Sequence, residues 1–243
     1  MKEYWDKFAK GDEYGAVITD RKNMPCEEYD SSGKKHYERY ILPFLAKHII
    51  KNPKELTIID LGCGTGRITQ FLAQNFKEAI GTDVSEELIN KANQDHHGIS
   101  NMNFYLTSGK DLHQIKSEST DIGFSFAALQ HIPCKKTVWQ NFRETYRILK
   151  PGGRILMQVR GAPGNVPGKE IFVYGFNKFY AGIFLWRSFL PIPFARKYDP
   201  LLGAYFKQRE IKKRLSALGF RSIETYYEGP KRLWIEAQKQ YLS

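Results

Sequence analysis

Cysteine is scarce in this chain, and the three present do not suggest a partnership. Cys26, Cys63 and Cys134 are odd in number and far apart, which argues against a disulfide framework and leaves no spacing for a structural zinc site. No metal centre is expected, and free thiols suit a reducing compartment. Long apolar runs are missing as well. Met1-Lys2-Glu3-Tyr4-Trp5-Asp6-Lys7 has no apolar stretch behind its lysine, so no secretory signal is expected and the reading is cytoplasmic. The passage from Phe179 to Pro193 is broken by Arg187 and two prolines and is too short for a transmembrane helix, which needs about 20 apolar residues. Acidic residues are also in deficit, at 26 Asp+Glu against 37 Lys+Arg for a net charge of +11. The imbalance is local. Residues 1–160 carry 23 basic and 20 acidic residues, while 161–243 carry 14 and 6, so the last third needs its own explanation.

Strands alternating with helices fill the middle of the chain. Leu56 to Leu61 is a short apolar run, as expected of a central parallel strand covered on both faces. Ile68, Phe71 and Leu72 mark a helix ending near Asn75, and Ala79 to Asp83 is the next strand. Ser85 is a good N-cap with Glu86 and Glu87 in the first turn behind it. Further strands are expected at Met102 to Leu106, within Asp121 to Leu129, and at Gly153 to Val159, the last after a helix closed by Pro151-Gly152-Gly153. This order means β-α-β units and a mainly parallel sheet with right-handed crossovers. Upstream, Tyr37, Ile41, Phe44 and Leu45 recur at helical spacing from Lys35 to Lys51, with Pro43 as a kink. Downstream, a helix over Ile211, Leu215 and Leu218 is capped by Gly219 and followed by a hairpin, Phe220 to Tyr227 and Arg232 to Ala237.

The first strand empties into Gly62-Cys63-Gly64-Thr65-Gly66, and glycine alone allows so tight a bend and so close an approach to a ligand. A dinucleotide fingerprint has the spacing G-x-G-x-x-G. Here the spacing is G-x-G-x-G, position 67 is Arg, and Asp60 stands two residues before the first glycine. A carboxylate at that point repels a pyrophosphate and suits a ligand bearing ammonium and sulfonium charges.

Asp60-Leu61-Gly62-Cys63-Gly64-Thr65-Gly66 resembles the first motif of the class I S-adenosylmethionine-dependent methyltransferases, and Asp83 falls where that family has its ribose-binding acid. Asp121 to His131 is similar to the fourth-strand motif, and Leu149 to Arg154 to the turn before the fifth strand. The resemblance covers roughly residues 55–160. It implies a Rossmann-like α/β fold, with a seven-stranded, mainly parallel sheet, helices on both faces and an antiparallel C-terminal hairpin. It also implies S-adenosyl-L-methionine as cofactor, its amino-acid end held by Asp60, Gly62, Cys63, Gly64 and Gly66, its ribose by Asp83 and its adenine beside Val84. Where relatives often place Asp to bind the adenine amino group, this chain has Ser108, so the contact falls to Ser108 or Gly109. Phe126 would close the pocket and Trp5 would cap it from an N-terminal helix. His131, following the fourth strand, is the candidate general base. Methyl transfer does not require one, because alignment alone supplies much of the rate.

The expected layout is one domain: an N-terminal helical cap (1–54), a cofactor-binding core (55–160), an aromatic and basic insertion (161–208) and a closing helix and hairpin (209–243). The insertion holds 12 aromatics in 48 positions and is read as a lid over a small-molecule acceptor. Its Lys169, Lys178, Arg187, Arg196 and Lys197 would attract an acidic group. Two other readings of the basic third are RNA, tracked by lysines with bases stacked on aromatics, and a shallow contact with anionic lipid. No RNA-binding module is appended, so an O- or N-directed small-molecule methyltransferase is preferred. An RNA methyltransferase and a non-catalytic cofactor-binding protein are the alternatives.

Overall fold

β1 (Thr57–Leu61) is buried at all five positions because strands flank it on both sides and helices cover both faces. In the computed structural model, which describes residues 2–11, 26–49, 51–162, 203–229 and 231–241, β1 pairs in parallel with β2 (Glu78–Asp83) and β4 (Thr120–Ser125). β3 (Met102–Leu106) extends one side. On the other side lie β5 (Leu149–Gly161) and then the hairpin of β7 (Phe220–Glu228) and β8 (Arg232–Lys239), with β8 antiparallel to both β5 and β7. The order is β3-β2-β1-β4-β5-β8-β7, the mainly parallel seven-strand path with an antiparallel end that the sequence implies. A two-residue β6 (Tyr205–Phe206) pairs with β5 outside that path. Chain order reverses between β1 and β4, and ligands of open α/β sheets bind at the carboxyl ends of such neighbours.

The pleat of β1 divides the core. Ile59 and Leu61 pack on one face with Val138 and Phe142 of α6 (Lys135–Ile148) and Ile211 and Leu215 of α7 (Gln208–Leu218). Ile58 packs on the other with Ile41, with Phe44 of α3 (Leu42–His48) and with Leu72 of α4 (Thr69–Asn75). Ser85 caps α5 (Glu86–Asp95) as its side chain accepts from the Leu88 N–H, and Gly219 ends α7 at φ +103°. The N-terminal helices are α1 (Lys2–Gly11) and α2 (Cys26–His36).

Two expectations change in detail. The helix around Pro43 is not a uniform α-helix. The chain widens into a π turn over Tyr37–Ile41, the Leu42 N–H bonds to the Tyr37 carbonyl, and α3 restarts with the proline in its first turn, where no N–H is needed. Nor does Pro151-Gly152-Gly153 separate helix from strand. α6 ends at Ile148, β5 begins at Leu149, and the Pro-Gly-Gly residues sit in an irregularity between the Thr120–Leu149 and Ile122–Arg154 pairs. Gly152, at φ +79°, supplies the left-handed conformation that the bulge needs.

His48, Glu224 and Glu236 are close enough to share a cation, but Lys47 already holds that place. Its ammonium lies 2.7 Å from Glu224 and 2.8 Å from Glu236, tying α3 to the hairpin. No helix among the described residues is long and apolar enough to cross a membrane.

Candidate functional site

The glycine turn runs from β1 to α4 with Gly62, Gly64 and Gly66 all at positive φ (77°, 58° and 83°), a region that side chains rarely adopt. Gly62 has a second constraint, since a Cβ there would overlap the Ala128 methyl. The turn folds back on β2. The Gly62 and Cys63 N–H groups donate to the Thr82 carbonyl at 2.7 and 3.0 Å, and the Gly64 N–H donates to Asp83 Oδ2 at 3.0 Å. Asp83 Oδ1 accepts from the Ser85 N–H at 3.0 Å. One carboxylate therefore joins the turn after β1 to the start of α5.

Asp60 stands at the end of β1, 3% exposed, where the Thr69 hydroxyl donates to it at 2.8 Å. Burial outweighs that bond and the nearby Arg67 charge, and raises its pKa to about 7. Burial also raises Asp83, against the pull of the Ser85 and Gly64 N–H groups. Cys63 is pushed well up by burial and then by both carboxylates, so it stays a thiol and is no nucleophile.

The turn is braced from outside. Tyr29 of α2 shares a hydrogen bond of 2.6 Å with the Thr65 hydroxyl, and the His96 ring contacts the Thr65 carbonyl at 3.0 Å. Arg67, 5% exposed, donates from Nη1 to Ser32 Oγ at 3.0 Å and to His36 Nδ1 at 2.8 Å. Its buried Nε–H has no hydrogen-bond partner among the described residues. Burial and Arg67 together press His36 down to about 4.

Across the cavity, the residues after β4 form the second wall. Phe126 packs between His36 (4.7 Å between ring centroids) and Tyr40 (4.9 Å) and stacks on Trp234 at 5.8 Å. A glutamine relay follows. The Ala127 N–H donates to Gln158 Oε1 at 3.0 Å, Gln158 Nε2 donates to Gln130 Oε1 at 2.8 Å, and Gln130 Nε2 then faces His131 Nε2 at 3.1 Å. The backbone N–H at its head sets the order of donors, so His131 accepts at Nε2 and the neutral ring carries its proton on Nδ1. The lone pair that a general base would use is already engaged. Trp5 of α1 meets the His131 ring edge-on at 5.7 Å.

A cavity of about 280 Å³ lies between these walls. Of the residues singled out in the sequence, Asp60, Gly62, Cys63, Gly64, Asp83 and Val84 line it on the β1–β2 side. Gly109 lines it next to Val84, and Phe126, His131 and Trp5 line it on the other side. Two do not. Gly66 supports the turn from behind, where a Cβ would press on Phe104 and His96. Ser108 is exposed outside the cavity with its hydroxyl donating to Asp111, because the left-handed turn at Gly109 (φ +73°) lines the cavity with Gly109 and leaves Ser108 on the rim. The insertion falls mostly outside the described residues, as do Lys169, Lys178, Arg187, Arg196 and Lys197. Sequence reasoning missed His36, Arg67, Gln130 and Arg232, all of which line the cavity. Only Arg67, adjoining the third glycine, had a sequence signal.

Residues 59–157 match the methyltransferase domain family. An uncharacterized methyltransferase of Schizosaccharomyces pombe is 33% identical over 154 residues, covering 59% of this chain and 55% of that protein. The juvenile hormone acid O-methyltransferase of Bombyx mori is 27% identical over 178 residues, covering 69% and 57%. The chain spans about half the length of the curated relatives it matches, 44% to 57% for these two and two others. Among solved structures, magnesium protoporphyrin IX methyltransferase from Synechocystis, with bound S-adenosylhomocysteine, superposes with a TM-score of 0.65 over 98% of each chain at 17% identity. Residues 59–157 thus match a methyltransferase domain, and the chain has the fold of the class I S-adenosylmethionine-dependent methyltransferases.

Proposed function

We propose that this protein transfers a methyl group from S-adenosylmethionine to an oxygen or nitrogen of a small-molecule acceptor that is acidic or partly apolar. The observation that carries this reading is the pair of buried carboxylates, Asp60 and Asp83, on one cavity around the glycine turn. Two acids in one recess suit a cationic, ribose-bearing ligand and oppose a pyrophosphate.

The residues present fit that cofactor, which when bound supplies an electrophilic methyl on sulfonium. Each Asp83 oxygen accepts one N–H and has a second acceptor direction for a ribose hydroxyl. Asp60 would balance the cationic end. Arg67, which lines the cavity, would face the carboxylate. Val84, Leu112 and Leu129 make an apolar wall for the base, and Trp5 and Phe126 exclude water. We place the acceptor lid in residues 161–208, between the core of 55–160 and the closing elements of 209–243.

The chemistry then rests on alignment. Holding a nucleophile in line with the methyl is worth roughly 7–11 kcal/mol, and the occupied Nε2 of His131 leaves it a wall of the site rather than its base. His131→Ala is expected to lower turnover less than about tenfold, whereas loss of a general base costs roughly 10²–10⁴. A thousandfold fall in kcat at unchanged KM would give His131 the base's role after all.

The direct test is labelled methyl transfer from S-adenosylmethionine into cell extract fractionated into small molecules, lipids, RNA and protein, with label expected in the small molecules. Label in RNA would favour the RNA reading, and cofactor binding without transfer would make the protein a non-catalytic binder. Tight binding of NAD with none of S-adenosylhomocysteine would overturn the methyltransferase reading.

A further inference from the structure

Arg232 opens β8. Because β8 runs antiparallel to β5, its first residue pairs with Arg160 near the carboxyl end of β5, and so reaches the edge of the sheet where the cavity lies. Its guanidinium sits over the Phe126 ring at 5.6 Å. The His36 ring is 4.7 Å from that same ring, and all three residues line the cavity.

The charges here do not balance. Glu228 faces Arg232 at 3.7 Å, the loosest of its contacts. It accepts from the Tyr40 hydroxyl at 2.9 and 3.0 Å and from the Trp234 indole at 3.1 Å, and it pairs closely with Arg39. Those bonds satisfy the carboxylate without Arg232. Arg67, Arg232 and Arg39 all disfavour a charge on His36; Arg67 has Asp60 nearby and Arg39 pairs closely with Glu228, which leaves Arg232 the most weakly matched of the three. His36 is accordingly a neutral imidazole. Arg67 can only donate, so Nδ1 accepts from it and the ring proton sits on Nε2. A guanidinium fork with only a loose 3.7 Å carboxylate contact, beside a ring N–H and on an aromatic floor, is a donor set that suits an anionic oxygen group.

We propose that Arg232 and the His36 Nε2–H, above Phe126, form a subsite for a carboxylate or phosphate on the acceptor and so select anionic acceptors over neutral ones. The inference rests on the methyltransferase reading and assigns charge recognition to the core and the C-terminal hairpin as well as to the insertion.

Calorimetric titration of the protein saturated with S-adenosylhomocysteine, using phenylacetate, phenyl phosphate and neutral phenylacetamide as probes, tests it. At least one anion should bind about tenfold or more tighter than the amide, and the preferred one tells carboxylate from phosphate. Arg232→Gln should remove that preference while changing S-adenosylhomocysteine affinity less than twofold. Arg232→Lys, which keeps the charge and loses the fork, should fall between them. Arg232 is exposed, so its replacement leaves the core intact, and an unchanged melting temperature verifies this. Anions that bind no better than the amide, or that bind Arg232→Gln unchanged, overturn the subsite alone. Anion preference without S-adenosylhomocysteine binding would overturn the methyltransferase reading and leave the subsite standing.

Discussion

Asp83→Ala is expected to weaken S-adenosylhomocysteine binding by at least about 100-fold, ~2.7 kcal/mol. Two losses combine. The ligand forfeits a charged acceptor, and the Gly64 and Ser85 N–H groups, each 3.0 Å from an Asp83 oxygen, are left unpaired, at about 1–3 kcal/mol for each buried group. The glycine turn then loses its tie to the start of α5, so the binding surface is less well formed before any ligand arrives. Asp83→Asn is no benign control, because its amide offers one acceptor and would aim a donor at a backbone N–H. Thermal unfolding with and without S-adenosylhomocysteine reads the effect directly, since a ligand at 100 times its Kd stabilises by ~2.7 kcal/mol. A ligand-induced rise in melting temperature as large in the alanine variant as in the wild type would mean that Asp83 does not contact the cofactor.

Asp83 was legible because local and long-range signals coincide on it. β1 is a short, mostly apolar run, the glycines follow at once, and Ser85 announces a helix start, so spacing alone brings the acid to the turn. The missed residues have no such local mark. Arg232 enters the site only because β8 runs against β5, and nothing in a hairpin's sequence says which edge its turn will reach. His36 lines the cavity from the end of α2, just ahead of a π turn, a register that the helical spacing of Tyr37 and Ile41 does not encode. Ser108 shows the converse. The family pattern pointed to Ser108 or Gly109, and the glycine turn puts Gly109 rather than Ser108 on the cavity. The relay joins the short stretch after β4, Ala127 to His131, to Gln158 of β5, and it changes the reading of His131 from a proton acceptor to a ring whose acceptor nitrogen is taken.

Cofactor affinity is expected to fall about tenfold between pH 8 and pH 6, and Asp60 is the group responsible. With its pKa near 7 in the free protein, it is mostly ionised at pH 8 and mostly neutral at pH 6. A cationic ligand binds the ionised form, so below pH 7 binding must first expel a proton. Calorimetry in buffers of different ionisation enthalpy should show that proton released at pH 6 and much less of it at pH 8. His36, held near 4, does not titrate in this window. Stability alone gives a weaker test because the two groups oppose each other. Asp60, raised above its unfolded value of 3.8, contributes stability that is present below that value and lost as pH rises through 7. His36, depressed from 6.5, contributes stability that is present above 6.5 and lost as pH falls toward 4. Binding isolates Asp60, and Asp60→Asn completes the argument, since an amide still accepts the Thr69 hydroxyl at 2.8 Å while carrying no titratable charge. That variant should bind weakly and equally at both pH values. If it retains the wild-type slope, the charge facing the cofactor belongs to another group, and the role of the acid before the glycine turn is structural.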